Sequence, residues 1–281
     1  MESITPTELR MHLEFLASDE LGGRYTLSPN FAIAARYLAA HLQAYGFRGA
    51  ANGSFLQSFD VISAKADAAK TTLELTVNGK PVVIKFGEDF LLSASSGAAV
   101  AEGQIVFVGA GVSAPELKHD DYAGKDVKGK IVLIVPGTPA GIDASRLKED
   151  QHGPGAAVAH GAVGILQLPQ QRFLQFMRDK SVLQRFATRE SVSLSRENDG
   201  KLPALTLAPD AAEKLLATAG LDLNTAYENA AKMDPPKGQV ISASGKISVA
   251  LQQTRTTTQN VAGILEGTDP QLKNEYVVFS A

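Results

Sequence analysis

Five histidines, His12, His41, His119, His152 and His160, carry most of the chemistry this sequence could perform, because it contains no cysteine at all. Disulfides, thiolate zinc sites and cysteine nucleophiles are thereby excluded, and any metal would rest on His, Asp or Glu. No HExxH or HxH spacing is present. His119-Asp120-Asp121 offers neighbouring donors, and His152 and His160 flank a Gly-rich stretch and a short helix. Metal sites need three or four convergent donors, and adjacent residues in a turn rarely aim at one ion, so each histidine is a weak ligand candidate by itself. Gly109-Ala110-Gly111-Val112-Ser113-Ala114 matches the G-x-G-x-x-A dinucleotide fingerprint after a strand. Its context argues against that use. Pro115 follows at once, no amphipathic helix offers its N-terminus, and the next strand ends at Val135-Pro136 without a ribose-binding acid. Ser93-Ala94-Ser95-Ser96 lacks a G-x-S-x-G elbow and reads as a solvated loop. Asp19, Glu20 and Arg24 could line a cleft, although fixing their own loop by hydrogen bonds is the simpler role.

The elements that must position these residues are written in caps and periodicities. Thr5-Pro6-Thr7-Glu8 is a capping box with proline in the first turn, which predicts a helix presenting Leu9, Leu13 and Leu16 and stopping near Ser18-Asp19. Ser28-Pro29 starts a second helix, with Phe31, Ala35, Leu38, Leu42 and Tyr45 at helical spacing and Gly46 beyond its end. Leu73–Val77, Asn78-Gly79 and Val82–Phe86 predict a hairpin. Ile105–Val108 and Ile131–Val135 read as buried strands, Ala156–His160 as a short helix leading into strand Gly164–Leu168. Pro203–Leu207 reads as a strand before a helix capped through Asp210-x-x-Glu213 and closed by Gly220. Gln170–Lys201 has no clean period and is expected to be irregular. Strand signals return at Ile247–Leu251, Asn260–Leu265 and Tyr276–Phe279.

At 281 residues the chain can hold one large domain or two ordinary ones. It is 44% hydrophobic and 20% charged, too apolar for a disordered tail and too polar for a membrane protein. A net charge of -3 gives no general attraction to phosphate backbones or anionic lipid, so no nucleic-acid partner is expected. The longest stretch free of Asp, Glu, Lys and Arg, 151–171, holds two prolines, several glycines and His160, so no membrane span is expected. Met1-Glu2-Ser3 shows no basic n-region and no apolar h-region follows. The apolar run Tyr276–Phe279 just before the end leads to the expectation of a larger protein cut at this point.

Three segments in order carry a resemblance. Leu16-Ala17-Ser18-Asp19-Glu20-Leu21-Gly22-Gly23-Arg24, then Ala34–Phe47, then Phe55-x-Gln57-x-Phe59, resembles the N-terminus of bacterial co-catalytic two-zinc aminopeptidases, relatives of glutamate carboxypeptidase and the transferrin receptor. Gly22 stands where that family usually has a second glutamate. Val106–Gly111 and Asp121–Leu133, continued by Gly161-Ala162-x-Gly164-Ile165 and Pro203-Ala204-Leu205, is similar to the protease-associated domain inserted in those peptidases. Thr258–Gly267 and Glu275–Ala281 is similar to two strands that re-enter the peptidase domain.

The resemblance implies an α/β fold: a partial peptidase domain, made of two N-terminal helices and C-terminal strands, with an inserted mixed α/β, β-rich protease-associated domain. The expected division is 1–59 for the helical part, 60–255 for the inserted domain and 256–281 for the first returning strands. It implies a zinc-dependent exopeptidase, aminopeptidase in type, that removes N-terminal residues from a peptide substrate and is exported to the periplasm or beyond. Its two zinc ions would be held by ligands starting with a His-x-Asp just after Ala281. No catalytic, cofactor-binding or metal residue is then expected within 1–281, no zinc is expected on this chain alone, and the inserted domain would form a lid or wall at the substrate cleft. Two other readings stay open: a non-catalytic protease-associated module that binds a peptide or protein partner, and a nucleotide-dependent enzyme built on the Gly109–Ala114 loop.

Overall fold

The structure is a computed structural model that describes residues 4–194, 201–233 and 240–280. The chain has an α/β fold with helices α1 (Pro6–Leu16), α2 (Pro29–Ala44), α3 (Gly153–Ala159), α4 (Lys180–Ala187), α5 (Pro209–Ala217) and α6 (Leu223–Ala230). It divides into two compact units. The first takes residues up to 63 and from 254 onward together with 193–195; the second takes 64–192 and 196–253. The second unit is thus an insertion between two stretches of the first.

In the first unit, the Thr5 side chain accepts from the Glu8 amide at 3.2 Å and the Glu8 carboxylate accepts from the Thr5 amide at 3.0 Å, so the capping box starts α1. Ser28 caps α2 through the Phe31 amide. Between them Gly22 and Gly23 take positive φ, and the Glu20 carboxyl, held below the usual range by a main-chain amide and by Ser18, serves the loop. Strand Arg48–Gly49 pairs antiparallel with Gly263–Ile264, and most of Leu56–Ala66 and of Leu251–Val261 falls in this unit as two neighbouring strands. Few side chains of this unit are buried: Leu21, Ala34, Ala35 and Val61 are the main ones, and α1 buries none. Leu9 and Leu13 of α1 are 52% and 65% exposed.

The second unit is built on an eight-stranded mixed sheet, in the order Lys80–Val82, Thr72–Val77, Val240–Ser248, Val100–Gly109, Ile131–Ile134, Gly164–Gln167, Ala204–Leu207, Phe90–Leu92. The four strands from Val100–Gly109 to Ala204–Leu207 are parallel; the others are antiparallel. Parallel strands need cover on both faces, and Ile131-Val132-Leu133-Ile134 supplies it by alternation. Ile131 and Leu133 enter the large core with Leu166, Leu205, Leu207 and the Leu215 and Leu216 side chains of α5. Val132 and Ile134 point the other way, onto Ala156 and Ala157 of α3 and Tyr122.

Five expectations change. The stretch expected to be irregular contains α4, capped by the Asp179 carboxylate on the Ser181 amide, and the strand Ser191–Leu194; residues 195–200 lie outside the described set. Helix α5 is not capped by Asp210: its N-cap is Ala208 with Pro209 behind it, and Asp210 and Glu213 instead hold Arg178 at 2.6 and 2.5 Å. The hairpin's second strand ends at Val82, because Lys85 and Asp89 turn the chain there, the Asp89 carboxylate accepting from the Lys85 amide. Ile247–Leu251 is not one strand: Val240–Ser248 ends within it and Leu251–Val261 begins at its last residue, with Val249-Ala250 between them. Tyr276–Phe279 is not a strand: no partner strand lies beside it among the described residues, and Phe279 is 93% exposed. Ala281 and Met1–Ser3 lie outside the described residues.

Candidate functional site

The sequence candidates that looked scattered fall into one cluster of the second unit. Strand Val100–Gly109 delivers the chain into Gly109–Ala114; Ser113-Ala114 pairs antiparallel with His119-Asp120, and Val112 bridges His152. His152 is the N-cap and His160 the C-cap of α3, so this one short helix fixes both.

Asp121 is the hub. Its Oδ2 accepts from the Val112 amide at 3.0 Å, and its Oδ1 lies 3.2 Å from His119 Nε2, both side chains being fully buried. His119 lies in the two-residue strand His119-Asp120, and Asp121 is the first residue of the turn beyond it. His119 Nδ1 meets the Met233 carbonyl at 3.1 Å, and the Lys125 ammonium donates to the Asp121 main-chain carbonyl. Burial raises the Asp121 carboxyl, although the Val112 amide, His119 and Lys125 pull it back. The Tyr122 phenol is also pushed up, chiefly by burial and then by Asp121 and Asp120, and among the described residues its hydroxyl has no hydrogen-bond partner.

Gly109 and Gly111 are required by this packing. Both take positive φ, and an added Cβ would reach Asp121 Oδ1 at 2.9 Å from Gly109 and Ile134 Cγ2 at 3.0 Å from Gly111. The loop that resembles a dinucleotide fingerprint therefore wraps a carboxylate of its own chain. The Val112 amide is taken by Asp121, the Gly111 carbonyl by the Gly153 amide, and the loop continues into a single 3-10 turn, Pro115–Leu117, instead of a helix. The Val112 amide and the Gly111 carbonyl are thus engaged within the chain and are not offered to a pyrophosphate.

His160 stacks on Tyr122, rings 4.2 Å apart and 3° from parallel, and its Nε2 meets Ser113 Oγ at 3.1 Å. A serine within reach of an imidazole is the first half of a nucleophile–base arrangement. The second half, a carboxylate orienting the ring, is not provided among the described residues: Asp121 faces His119 and the Val112 amide instead. The cluster is thus a polar pin that joins three segments beneath the sheet's end.

The remaining candidates lie elsewhere. His12 and His41, in the first unit, come together from α1 and α2 with ring centroids 4.7 Å apart, and His12 Nδ1 meets the Tyr37 hydroxyl at 2.8 Å. Sequence reading did not pair them, although both fall on helix faces that a helix–turn–helix brings together. Ser93 and Ser96 are buried, contrary to the solvated loop expected: Ser93 Oγ accepts from Gln167 at 2.8 Å and Ser96 Oγ from the Ala204 amide at 2.9 Å, so these serines satisfy the end of the sheet. Among the described residues no three His, Asp or Glu side chains converge as a metal site, and no helix is long and apolar enough to cross a membrane.

The sequence matches no protein-family model and no curated protein. Among solved structures, the fold is similar to that of an aminopeptidase from Aneurinibacillus sp. strain AM-1, with a TM-score of 0.47 and 16% sequence identity over 94% of this chain and 49% of that one. The chain spans about half the length of that aminopeptidase.

Proposed function

We propose that residues 1–281 are the N-terminal and protease-associated portion of an exported, zinc-dependent exopeptidase of aminopeptidase type. The observation that carries this reading is the order of parts. A segment reading Ser18-Asp19-Glu20-Leu21-Gly22-Gly23-Arg24 and its following helix share one unit with the returning Asn260–Gly267 segment, and a separate α/β unit is inserted between them. The exposed apolar faces of α1 and the exposed Tyr276–Phe279 run add support, since surface of this kind is usually covered by more polypeptide.

The described residues do not fit a two-zinc site, because no three candidate ligands converge. Metal ligands and a general base would come from residues outside 1–281, and no chemical step is assigned to this chain. Its part would be structural: the first unit frames the peptidase core, and the inserted unit, pinned by Asp121, limits peptide access.

Sequencing the native polypeptide past Ala281 tests the reading. A His-x-Asp followed by further His, Asp and Glu ligands, with zinc-dependent release of N-terminal residues from peptides by that full polypeptide, is the expected result. A continuation without such ligands would leave a non-catalytic module that binds a peptide or protein partner. The 281-residue chain alone should give no turnover of an aminoacyl p-nitroanilide with added zinc; turnover there would place catalytic groups in this chain and overturn the assignment.

A further inference from the structure

The second unit carries a groove that the peptidase reading does not use. Strands Val100–Gly109 and Val240–Ser248 lose register between the pairs Val240–Val106 and Ser244–Gln104, so three residues, 241–243, oppose the single Ile105. An irregularity of this kind spreads and twists a strand pair. A cavity of about 1060 Å³ opens along it, and Thr76, Gln104, Ser244, Lys125, Asp126 and Lys130 are among its lining residues.

The charges in this groove are unbalanced. Lys130 pairs with Asp126 at 3.0 Å, and that carboxylate, 74% exposed, also accepts from the Lys128 amide. Among the described residues Lys125 has no such ion pair: its ammonium donates to a neutral main-chain carbonyl, that of Asp121. Asp121 and Asp120 favour its charged form, but burial outweighs them and holds Lys125 below the usual lysine range. A half-buried ammonium with N–H groups to spare is stabilised by any anion that reaches it. The Thr76 and Ser244 hydroxyls and the Gln104 amide add neutral donors along the same wall.

We propose that this groove binds a compact carboxylate-bearing small molecule, with Lys125 and Lys130 as its cationic contacts and Gln104 and Ser244 as orienting groups. The volume exceeds what a single inorganic ion needs, which favours a di- or tricarboxylate over a lone ion. This inference stands apart from the exopeptidase reading: it concerns one unit and is tested without peptide turnover.

The probes are succinate and citrate, with inorganic phosphate for comparison, titrated into the 281-residue chain at constant ionic strength. Binding is followed by calorimetry and by amide shifts of Gly124, Lys125, Asp126 and Ser244. Saturable binding is expected, weakened about tenfold or more by Lys130→Gln and by Lys125→Gln, and unchanged by Lys128→Gln, whose side chain lies outside the groove. Lys125→Gln also removes a contact to the Asp121 segment, so Gln104→Ala, on an exposed side chain, and Lys130→Gln, on a partly exposed one, keep the test independent of that contact. Equal losses in Lys128→Gln and Lys130→Gln would mean a general charge effect and overturn the site. So would the absence of saturable binding by either carboxylate, or tighter binding of phosphate alone.

Discussion

Asp121→Ala is expected to destabilise the second unit by about 2–4 kcal/mol, the range for leaving a buried main-chain amide unpaired and opening a small cavity beside it. The side chain is fully buried, and its loss has three consequences at once. The Val112 amide loses its acceptor, the buried His119 edge loses the group 3.2 Å away, and Gly109 faces a void where the carboxylate had been. Asp121→Asn keeps the shape and one acceptor and should cost less. The pH dependence separates charge from shape. Burial raises the folded-state carboxyl above its unfolded value near 3.9, so this group's stabilisation is full below about pH 3.9 and is lost as pH rises through the folded-state value. Asn does not titrate, so the stability of the wild type minus that of Asp121→Asn should fall as pH rises from about 4. Urea unfolding followed by circular dichroism at several pH values measures both quantities. A loss below about 1 kcal/mol in Asp121→Ala would show that the pin contributes little and that the sheet alone orders the Gly109–Ala114 loop.

The parts of this fold that could be read from sequence are those where local chemistry and tertiary packing agree. Thr5 with Glu8, and Ser28 with Pro29, place two helix starts because the capping atoms lie within three residues of each other. Asn78-Gly79 marks the hairpin because both residues take positive φ, which the turn requires. Ile131–Ile134 is legible as a strand buried on both faces because all four residues are apolar. The failures have one physical source, which is partners distant in sequence. Asp210 and Glu213 look like a cap, yet Arg178, more than thirty residues away, takes both carboxylates. Helix α4 lacks a long apolar stripe, since only Val182 and Leu183 are buried, and its start is set by Asp179 alone. Ser93 and Ser96 look solvated until Gln167 and Ala204 arrive from other strands. The polar cluster was visible as residues but not as a cluster. The chain must close a loop, a strand and α3 before Asp121, Val112, His160 and Ser113 meet, and no spacing rule encodes that.

Gly155→Ala is expected to be destabilising by roughly 3 kcal/mol or more, although helix propensity alone would predict the opposite sign. Alanine at an interior helix position is favoured over glycine by roughly 0.5–1 kcal/mol. At Gly155, in the first turn of α3, that gain meets main chain: an added Cβ would overlap the Glu149 carbonyl and come within 3.2 Å of Asp150 Cα. Neither atom belongs to a flexible side chain that could swing away. Relief requires α3 to move off the 149–151 turn, and α3 carries Ala156 and Ala157, which are fully buried against Val132 and Ile165. Moving it also draws His160 away from Ser113 and Tyr122, so the polar pin and the second core fail together. Gly153, two residues earlier, makes the internal comparison. Its surroundings leave space for a methyl group, with no atom within 4 Å, but its φ of +52° lies in the left-handed region, so Gly153→Ala should cost only about 1–2 kcal/mol. The two variants therefore separate conformational strain from steric overlap within one turn of one helix. Urea unfolding should rank them with Gly155→Ala far the weaker, accompanied by a shifted His160 ring resonance that Gly153→Ala leaves in place. A Gly155→Ala protein as stable as wild type would mean that the turn and α3 are not in contact at this point, and the account of how α3 is seated would have to be abandoned.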